Sequence, residues 1–265
     1  MRSIGMNISD PSQISSVLNV LNEQGAGHVE LLIDNFLHCD PASILAGLGN
    51  RPVAFHIMNS RFLERDPTEL ARVAKIINNF AYELKPLYIS DHLLNFTLFG
   101  LPTPITHELD YHKSSSHIIE RIDAWQTLLN TTVHFENVAS STALGLYQPE
   151  FYHLLTTRTA CGILFDISNA LVAKKNIGVD IAAWYGIIKN THHFQVGGYA
   201  QSQDSDTYWI DSHDCMLDSE TFALLNTLKT LNLLQQGNTL TLEYDHAIDY
   251  SLWRKTLIKT REILQ

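Results

Sequence analysis

The sequence predicts a closed (β/α)8 TIM barrel, and three observations carry the prediction. Eight short apolar runs alternate with segments of helical periodicity along 265 residues, a length at which single α/β barrels are common. No linker, repeat or low-complexity stretch breaks the alternation, so one barrel domain over residues 1–265 is expected. Several apolar runs end in His, Asp or Glu, where a strand gives way to polar residues. An open doubly wound sheet is the rival arrangement. Polar residues spread over many strand ends, rather than gathered at one switch point, favour the closed form.

The elements follow in order. Arg2 to Ile8 reads as the first strand. Asp10-Pro11 then opens a helix with Asp as cap and Pro in its first turn, carrying Ile14, Val17, Leu18 and Leu21 at helical spacing and ending at Gly25 and Gly27. VELLI (29–33) and VAFHI (53–57) are the second and third strands, joined by a short helical piece around Ala42 to Leu48. Asp66-Pro67 opens the clearest helix, with an apolar stripe of Leu70, Val73, Ala74, Ile77, Phe80, Ala81 and Leu84. LYIS (87–90) is the fourth strand, and the connection 93–113, with Gly100, Pro102 and Pro104, suits a lid or binding loop. A helix bearing Ile118, Ile122, Trp125 and Leu129 leads to TVHFE (132–136), then come GILFD (162–166) and HFQVGG (193–198). A polar loop from Gln201 to Asp214 holds DSHD. A helix through Phe222, Leu225, Leu228 and Leu231 precedes TLTLE (239–243), and the last helix contains Trp253 and Leu257.

Composition narrows the class. No run of about 18 apolar residues exists, and MRSIGMNISD lacks the apolar core of a secretory signal. Cys39, Cys161 and Cys215 are an odd, widely spaced set without a CxxC pair, so reduced thiols and a cytoplasmic setting are expected. The net charge of −10, from 18 basic and 28 acidic residues, leaves little with which to build a phosphate-binding groove.

In a barrel the C-terminal strand ends converge on one face. That brings together His56, His92, Glu136, Asp166 and Glu243, with Asp211 and His213 added by the DSHD loop and Asn169 by the turn after Asp166. Four carboxylates in one pocket repel and are driven to take up protons; two or three cations remove that cost. Histidine, carboxylate and amide donors without cysteine suit iron, manganese or zinc. Taken singly, each residue has an ordinary reading: a core histidine, a helix-capping carboxylate, a solvated loop for DSHD, a partly structural His192-His193 pair. Their convergence on one rim argues for a metal centre.

With these residues in view the chain resembles the xylose-isomerase-like barrels with three-metal sites, which include the abasic-site endonucleases. It is more closely similar to the multinuclear non-haem iron-dependent oxidases, in the branch of methanobactin biosynthesis. The likeness runs through VELLIDNF (29–36), PVAFHIM (52–58), FLERD (62–66), YISDHL (88–93), Glu136-Asn137, GILFDISNA (162–170), HF (193–194), SHD (212–214) and the strand ending in Glu243. The resemblance implies a first iron on His56, His92 and Glu136, a second on Glu136, Asp166 and Glu243, and a third on Asn169, Asp211 and His213. Gln195 stands where many relatives carry a histidine; its amide oxygen, or His193 two residues earlier, is the candidate replacement. The resemblance further implies two or three irons of mixed Fe2+/Fe3+ state with O2 as co-substrate. The reaction it implies is a four-electron oxidation of a cysteine in a ribosomally made precursor peptide, giving the oxazolone and thioamide of a copper chelator. A small partner subunit would complete a heterodimer. Asp245, on the same strand face as Glu243, is the candidate proton acceptor beside Glu136 in the catalytic set, with capping of the final helix as its competing role. Asp91 and Asn137 are expected to orient ligands. The alternatives are a metal-dependent phosphodiesterase, endonuclease or isomerase on the same barrel, and a non-catalytic scaffold that presents the peptide.

Overall fold

Strands β1 (Ser3–Ile8), β2 (Val29–Leu32), β3 (Val53–His56) and β4 (Ile89–His92) are followed by a hairpin, β5 (Asn95–Leu98) and β6 (Leu101–His107). Next come β7 (Val133–Glu136), β8 (Gly162–Asp166) and β9 (His193–Gly197), a second hairpin of β10 (Tyr199–Gln201) and β11 (Trp209–Asp211), and β12 (Thr239–Glu243). The computed structural model describes residues 1–203, 207–245 and 249–264. The eight long-range strands close in the order β1-β12-β9-β8-β7-β4-β3-β2, and every neighbouring pair is parallel. The ring is shut, which excludes the open sheet.

Helices α1 (Ile14–Gln24), α2 (Pro41–Leu48), α3 (Pro67–Leu84), α4 (Ser115–Leu129), α5 (Gln148–Arg158), α6 (Ile167–Ile177), α7 (Tyr185–Ile188), α8 (Ser219–Thr230) and α9 (Tyr250–Leu264) connect the strands. Their starts follow the capping chemistry legible in the chain. Asp40, Asp66, Asp166 and Asp218 each accept a backbone N–H of the first turn of α2, α3, α6 and α8. In α3, Leu70, Ala74, Ile77, Phe80 and Leu84 are buried, and Val73 and Ala81 pack half-buried beside them. The stripe of α4 is buried throughout.

Several expectations shift. Asp10 caps a short 3-10 turn, Pro11–Gln13, before α1 begins at Ile14. The fourth strand runs on past Ser90 to His92, so Asp91 and His92 are strand residues, while pairing already begins where Leu87 N–H donates to Val53 O. The connection 93–113 is built on the β5–β6 hairpin, and part of the DSHD loop on β10–β11. Leu231 falls just past α8, 49% exposed, outside the stripe. Residues 204–206 of the polar loop lie outside the described residues.

Most apolar packing lies between strands and helices. The barrel's own lumen is polar, unlike the branched aliphatic layers usual in this fold. A small apolar cluster of Ala54, Tyr88 and Leu164 sits within it. Near the N-terminal end a hydrogen-bonded line starts at Ser3, whose Oγ lies 2.9 Å from His28 Nδ1. His28 Nε2 is 3.1 Å from Thr241 Oγ1, which is 3.3 Å from Tyr88 OH. Gly5 lets β1 pass this histidine, because a Cβ there would sit 2.4 Å from His28 O.

Burial holds the His28 imidazole neutral, depressing its pKa from 6.5 to about 4, with Arg51 adding a smaller push. Above pH 6.5 neither the folded nor the unfolded chain protonates this group. Between 6.5 and 4 only the unfolded chain does, so stability falls with falling pH by about 1.4 kcal/mol per unit, ~3 kcal/mol in all. Urea unfolding of wild type and His28→Gln between pH 7.5 and pH 4 tests this: the acid-side slope should flatten in the variant, and an unchanged slope would rule His28 out as its source.

Candidate metal centre

Strand ends place the cluster as the alternating barrel pattern requires. His56 and His92 close β3 and β4, Glu136 closes β7, Asp166 closes β8 and Glu243 closes β12. Nε2 of His56 and of His92 lie 3.5 Å and 3.1 Å from Glu136 Oε2. One ligand atom from each of these three residues fits within 4.8 Å of the others. A cavity of about 690 Å³ opens above them, lined also by Asn7, Glu30, Asn169, Asp211, His213, Glu243 and Asp245.

Hydrogen bonding fixes which ring nitrogens face the cavity. Ser90 Oγ donates to Phe55 O, so it accepts from His56 Nδ1 at 2.8 Å. A backbone carbonyl, Ile57 O, accepts from His92 Nδ1 at 3.0 Å. Asp245 Oδ2 accepts from His213 Nδ1 at 3.1 Å. Each neutral ring therefore turns a lone pair on Nε2 toward a carboxylate: Glu136 for the first two, and for His213 the Asp211 Oδ1 at 2.8 Å. Acceptor faces acceptor three times. Only a proton or a metal cation between them makes the contacts favourable.

The same shortage of donors extends around the rim. Among the described residues, Glu136 Oε2, Asp166 Oδ2, Asn169 Oδ1, Gln195 Oε1, Asp211 Oδ1, His213 Nε2 and Glu243 Oε2 are buried with no hydrogen-bond partner. Several of these residues spend their other side-chain atom on a hydrogen bond. Asn169 Nδ2 donates to Glu136 Oε1 at 2.7 Å and to Asn137 O at 2.9 Å, and Asp166 Oδ1 accepts from Asn169 N. Buried polar atoms are rarely left unpaired, and these seven are all atom types that bind hard or borderline cations. The residues fit a metal centre.

Charge regulation tells the same story. Burial drives Asp166 and Glu243 well above the ordinary carboxylate range, with repulsion from Asp211 and Glu136 adding to Asp166. Burial pushes the His56 ring well down. Burial also opposes charge on His92, but the Glu136 carboxylate overcomes it and lifts His92 to about 9. Asp211 and Glu243 likewise outweigh burial at His213 and raise it well above its usual value. Without metal, this centre retains protons that a cation would displace.

Surrounding residues hold the cluster rigid. Asp91 accepts from His92 N and from Trp125 Nε1, both at 2.8 Å, and burial raises it to about 7. Asn137 pairs both ways with the backbone of Asp166, at 2.7 and 2.9 Å, and Tyr152 OH donates to Glu136 O. Asp245 is gripped by Asn7 Nδ2 at 2.7 Å as well as by His213. Gln195 lies opposite Asp166 in the β8–β9 ladder, with its Nε2 2.6 Å from Glu30 Oε1. His193 is not brought to the cavity. Its Nδ1 meets Thr239 Oγ1 at 2.9 Å and its ring lies among Tyr88 and His134, a layer below.

Sequence reasoning missed Glu30, a fully buried carboxylate at the cavity floor that accepts from Tyr88 OH and Gln195. Its signal was present: a lone Glu inside an apolar run must meet donors or ions. Burial raises Glu30 to about 7 against these two donors, and a cation in the centre would draw it down again.

Fold and site together define a closed (β/α)8 barrel with a candidate metal centre at its C-terminal mouth. The chain belongs to the family described as RiPP precursor modification enzyme MbnB/TglH/ChrH, which matches residues 11–259; its members act on precursors of ribosomally made, post-translationally modified peptides. Among curated relatives it is 29% identical to a UPF0276 protein of Rhizorhabdus wittichii over 74% of this chain and 72% of that one. It is 27% identical to UPF0276 protein Anae109_1558 of Anaeromyxobacter over 70% and 67%. Solved structures share the fold at low identity. The TTHB071 protein from Thermus thermophilus, soaked with ZnCl2, aligns with a TM-score of 0.65 at 16% identity over 98% of this chain and 97% of that one. Endonuclease IV from the same organism gives 0.60 at 14% over 99% and 98%, and an L-ribulose 3-epimerase 0.61 at 15% over 100% and 95%.

Because His92, lifted to about 9, still carries a proton on its inward Nε2 near pH 7.5, anaerobic binding of a divalent cation such as Fe2+ by the His56–His92–Glu136 triad should release about one proton. Calorimetry in buffers of differing ionisation enthalpy measures that number. Proton-neutral binding would contradict a protonated His92 in the metal-free centre.

Proposed function

We propose that the chain is an iron- and O2-dependent oxidase that converts a precursor-peptide cysteine to an oxazolone and thioamide pair, as in the biosynthesis of the copper chelator methanobactin. The observation that carries this reading is the ring of donor-starved oxygens and imidazole nitrogens around one cavity, in a chain whose family modifies precursor peptides. His56, His92 and Glu136 would hold a first iron. Glu136 would bridge to a second with Asp166, Glu243 and the Gln195 amide oxygen, and Asn169, Asp211 and His213 would hold a third. When bound, the irons supply a site for a substrate thiolate and an open position for O2, in a mixed ferrous and ferric state.

The protein's own groups supply position and proton traffic. At about 690 Å³ the cavity has volume for a side chain with its flanking backbone, and Leu32, Leu94 and Val138 give it apolar wall. Asp245 lines the same cavity and is oriented from two sides by Asn7 and His213. An oriented carboxylate there is the acceptor for the proton that leaves the peptide backbone as the ring closes. Its hold on the His213 ring is a structural tie across the same edge, so the residue has both duties. Oxidation removes about four hydrogens from the peptide, and O2 carries them away as water. A small partner subunit that engages the precursor's leader, and a cytoplasmic setting, belong to this reading. Cys39, Cys161 and Cys215 are free thiols, and no helix among the described residues is long and apolar enough to cross a membrane.

The test is anaerobic loading with iron, then precursor and partner, then air, with the peptide's mass as the readout. A loss of about four hydrogens' worth of mass is expected; a fully iron-loaded protein that leaves the peptide unchanged would refute the activity. Asp245→Asn should keep its iron and slow the conversion by about 10²- to 10⁴-fold, the usual range for a lost general base. Glu136→Ala should lose more than one metal equivalent, because the residue bridges; loss of a single equivalent would break the assignment.

A further inference from the structure

We propose that Glu30 is a positioning residue: it takes the amide nitrogen of Gln195 and thereby turns the amide oxygen toward the ion shared by Asp166 and Glu243. The inference rests on the metal-centre reading of the cavity. The oxygen and nitrogen of a side-chain amide have nearly the same shape, so their assignment comes from their partners. Here the partners decide. Glu30 is wholly buried in the middle of β2, and each of its oxygens receives one donor: Tyr88 OH at Oε2, and Gln195 Nε2 at 2.6 Å from Oε1.

The direction of those bonds is set from further away. Tyr88 has one hydroxyl hydrogen and spends it on Glu30, so its contact with Thr241 Oγ1 at 3.3 Å is one it receives. Thr241 thus donates to Tyr88 and accepts from His28 Nε2 at 3.1 Å. His28 Nδ1 is then left to accept from Ser3 Oγ at 2.9 Å. Every hydrogen in the line points one way, and the line ends on Glu30. A reversed Gln195 amide would press its oxygen against a carboxylate oxygen. In the observed orientation Gln195 Oε1 is buried, has no donor, and sits opposite Asp166 in the strand ladder. It is a neutral oxygen donor that adds no charge to a centre already holding several carboxylates, and it is only available because Glu30 holds the other end.

The test compares wild type, Glu30→Gln, Gln195→Leu and the pair combined, each titrated anaerobically with ferrous ion and, separately, with cobaltous ion read by its ligand-field absorption. Glu30→Gln and Gln195→Leu should each weaken the same one ion by about 10- to 100-fold, with the ion of His56 and His92 unmoved. The combined variant should be no worse than Gln195→Leu, since both changes act through one oxygen. Adding Gln195→Glu to Glu30→Gln should restore that ion and its spectrum, because a carboxylate needs no turning and the amide introduced at position 30 can still donate to it. A merely structural role for Glu30 would not give that rescue. If Glu30→Gln unfolds, Tyr88→Phe takes its place, and should weaken the same ion in the same direction. Ion binding in Glu30→Gln that matches wild type would overturn the proposal while leaving the centre intact. Wild type binding no ions would overturn the centre itself, and this inference with it.

Discussion

A deficit of hydrogen-bond donors organises the mouth of this barrel. Carboxylates, amide oxygens and imidazole lone pairs converge there from β3, β4, β7, β8 and β12 and from the loop bearing His213, and among the described residues no arginine or lysine lines the cavity beside them. Burying charged acceptors without donors costs several kcal/mol per group unless protons or metal ions intervene. The ordinary hydrogen bonds in the neighbourhood do not relieve that deficit. They deepen it, because Ser90, Ile57 and Asp245 each take the ring hydrogen of a histidine and leave the lone pair facing inward. An arrangement whose supporting bonds consistently turn acceptors inward is chemically suited to meet cations.

The scaffold's role follows from that. Asp166 caps α6 with one oxygen and offers the other to the centre, so the helix start and the site are one feature. Asn137 ties itself to both backbone groups of Asp166, fixing β7 against β8 where the two carboxylates approach. Trp125, buried in α4, reaches through to Asp91, and Asp91 in turn holds the backbone of His92. Supporting contacts of this kind commonly decide metal affinity as much as the ligands do. Here they come from the helix layer as well as from the barrel.

Much of this was legible in the chain because strand and helix periodicities differ. Eight apolar runs, several ending in ligand-type residues, gave the barrel and its rim, and Asp-Pro pairs gave helix starts. The boundaries of the fourth strand were less legible. Asp91 and His92 look like loop residues by polarity, yet they extend the strand, since each is satisfied by groups distant in sequence, Trp125 and Ile57 among them. The β5–β6 hairpin looks like a loop in the sequence because Gly100, Pro102 and Pro104 argue against strand pairing; an isolated two-stranded insertion can hold prolines on its open edge. His193 could not be separated from Gln195 by alternation alone. Both face the lumen, and only depth distinguishes them, which depends on register against Leu164 and Asp166.

Depth is also what reconciles a polar lumen with a stable fold. The line from Ser3 to Glu30 fills the space where branched aliphatic side chains usually pack, so little hydrophobic stabilisation comes from inside the ring. It comes from the outer shell, where α3, α4 and α8 cover the strands with fully buried Leu, Ile, Phe and Trp. That division frees the lumen for polar chemistry along its whole length. Each lumen group then has to be satisfied by another lumen group, since no water-exposed alternative exists for His28, Thr241 or Glu30. The chain of donors can end only where an acceptor is in excess, and the excess lies at the mouth. The polar interior and the donor-starved rim are thus two ends of one hydrogen-bond balance, and a change at either end is felt at the other.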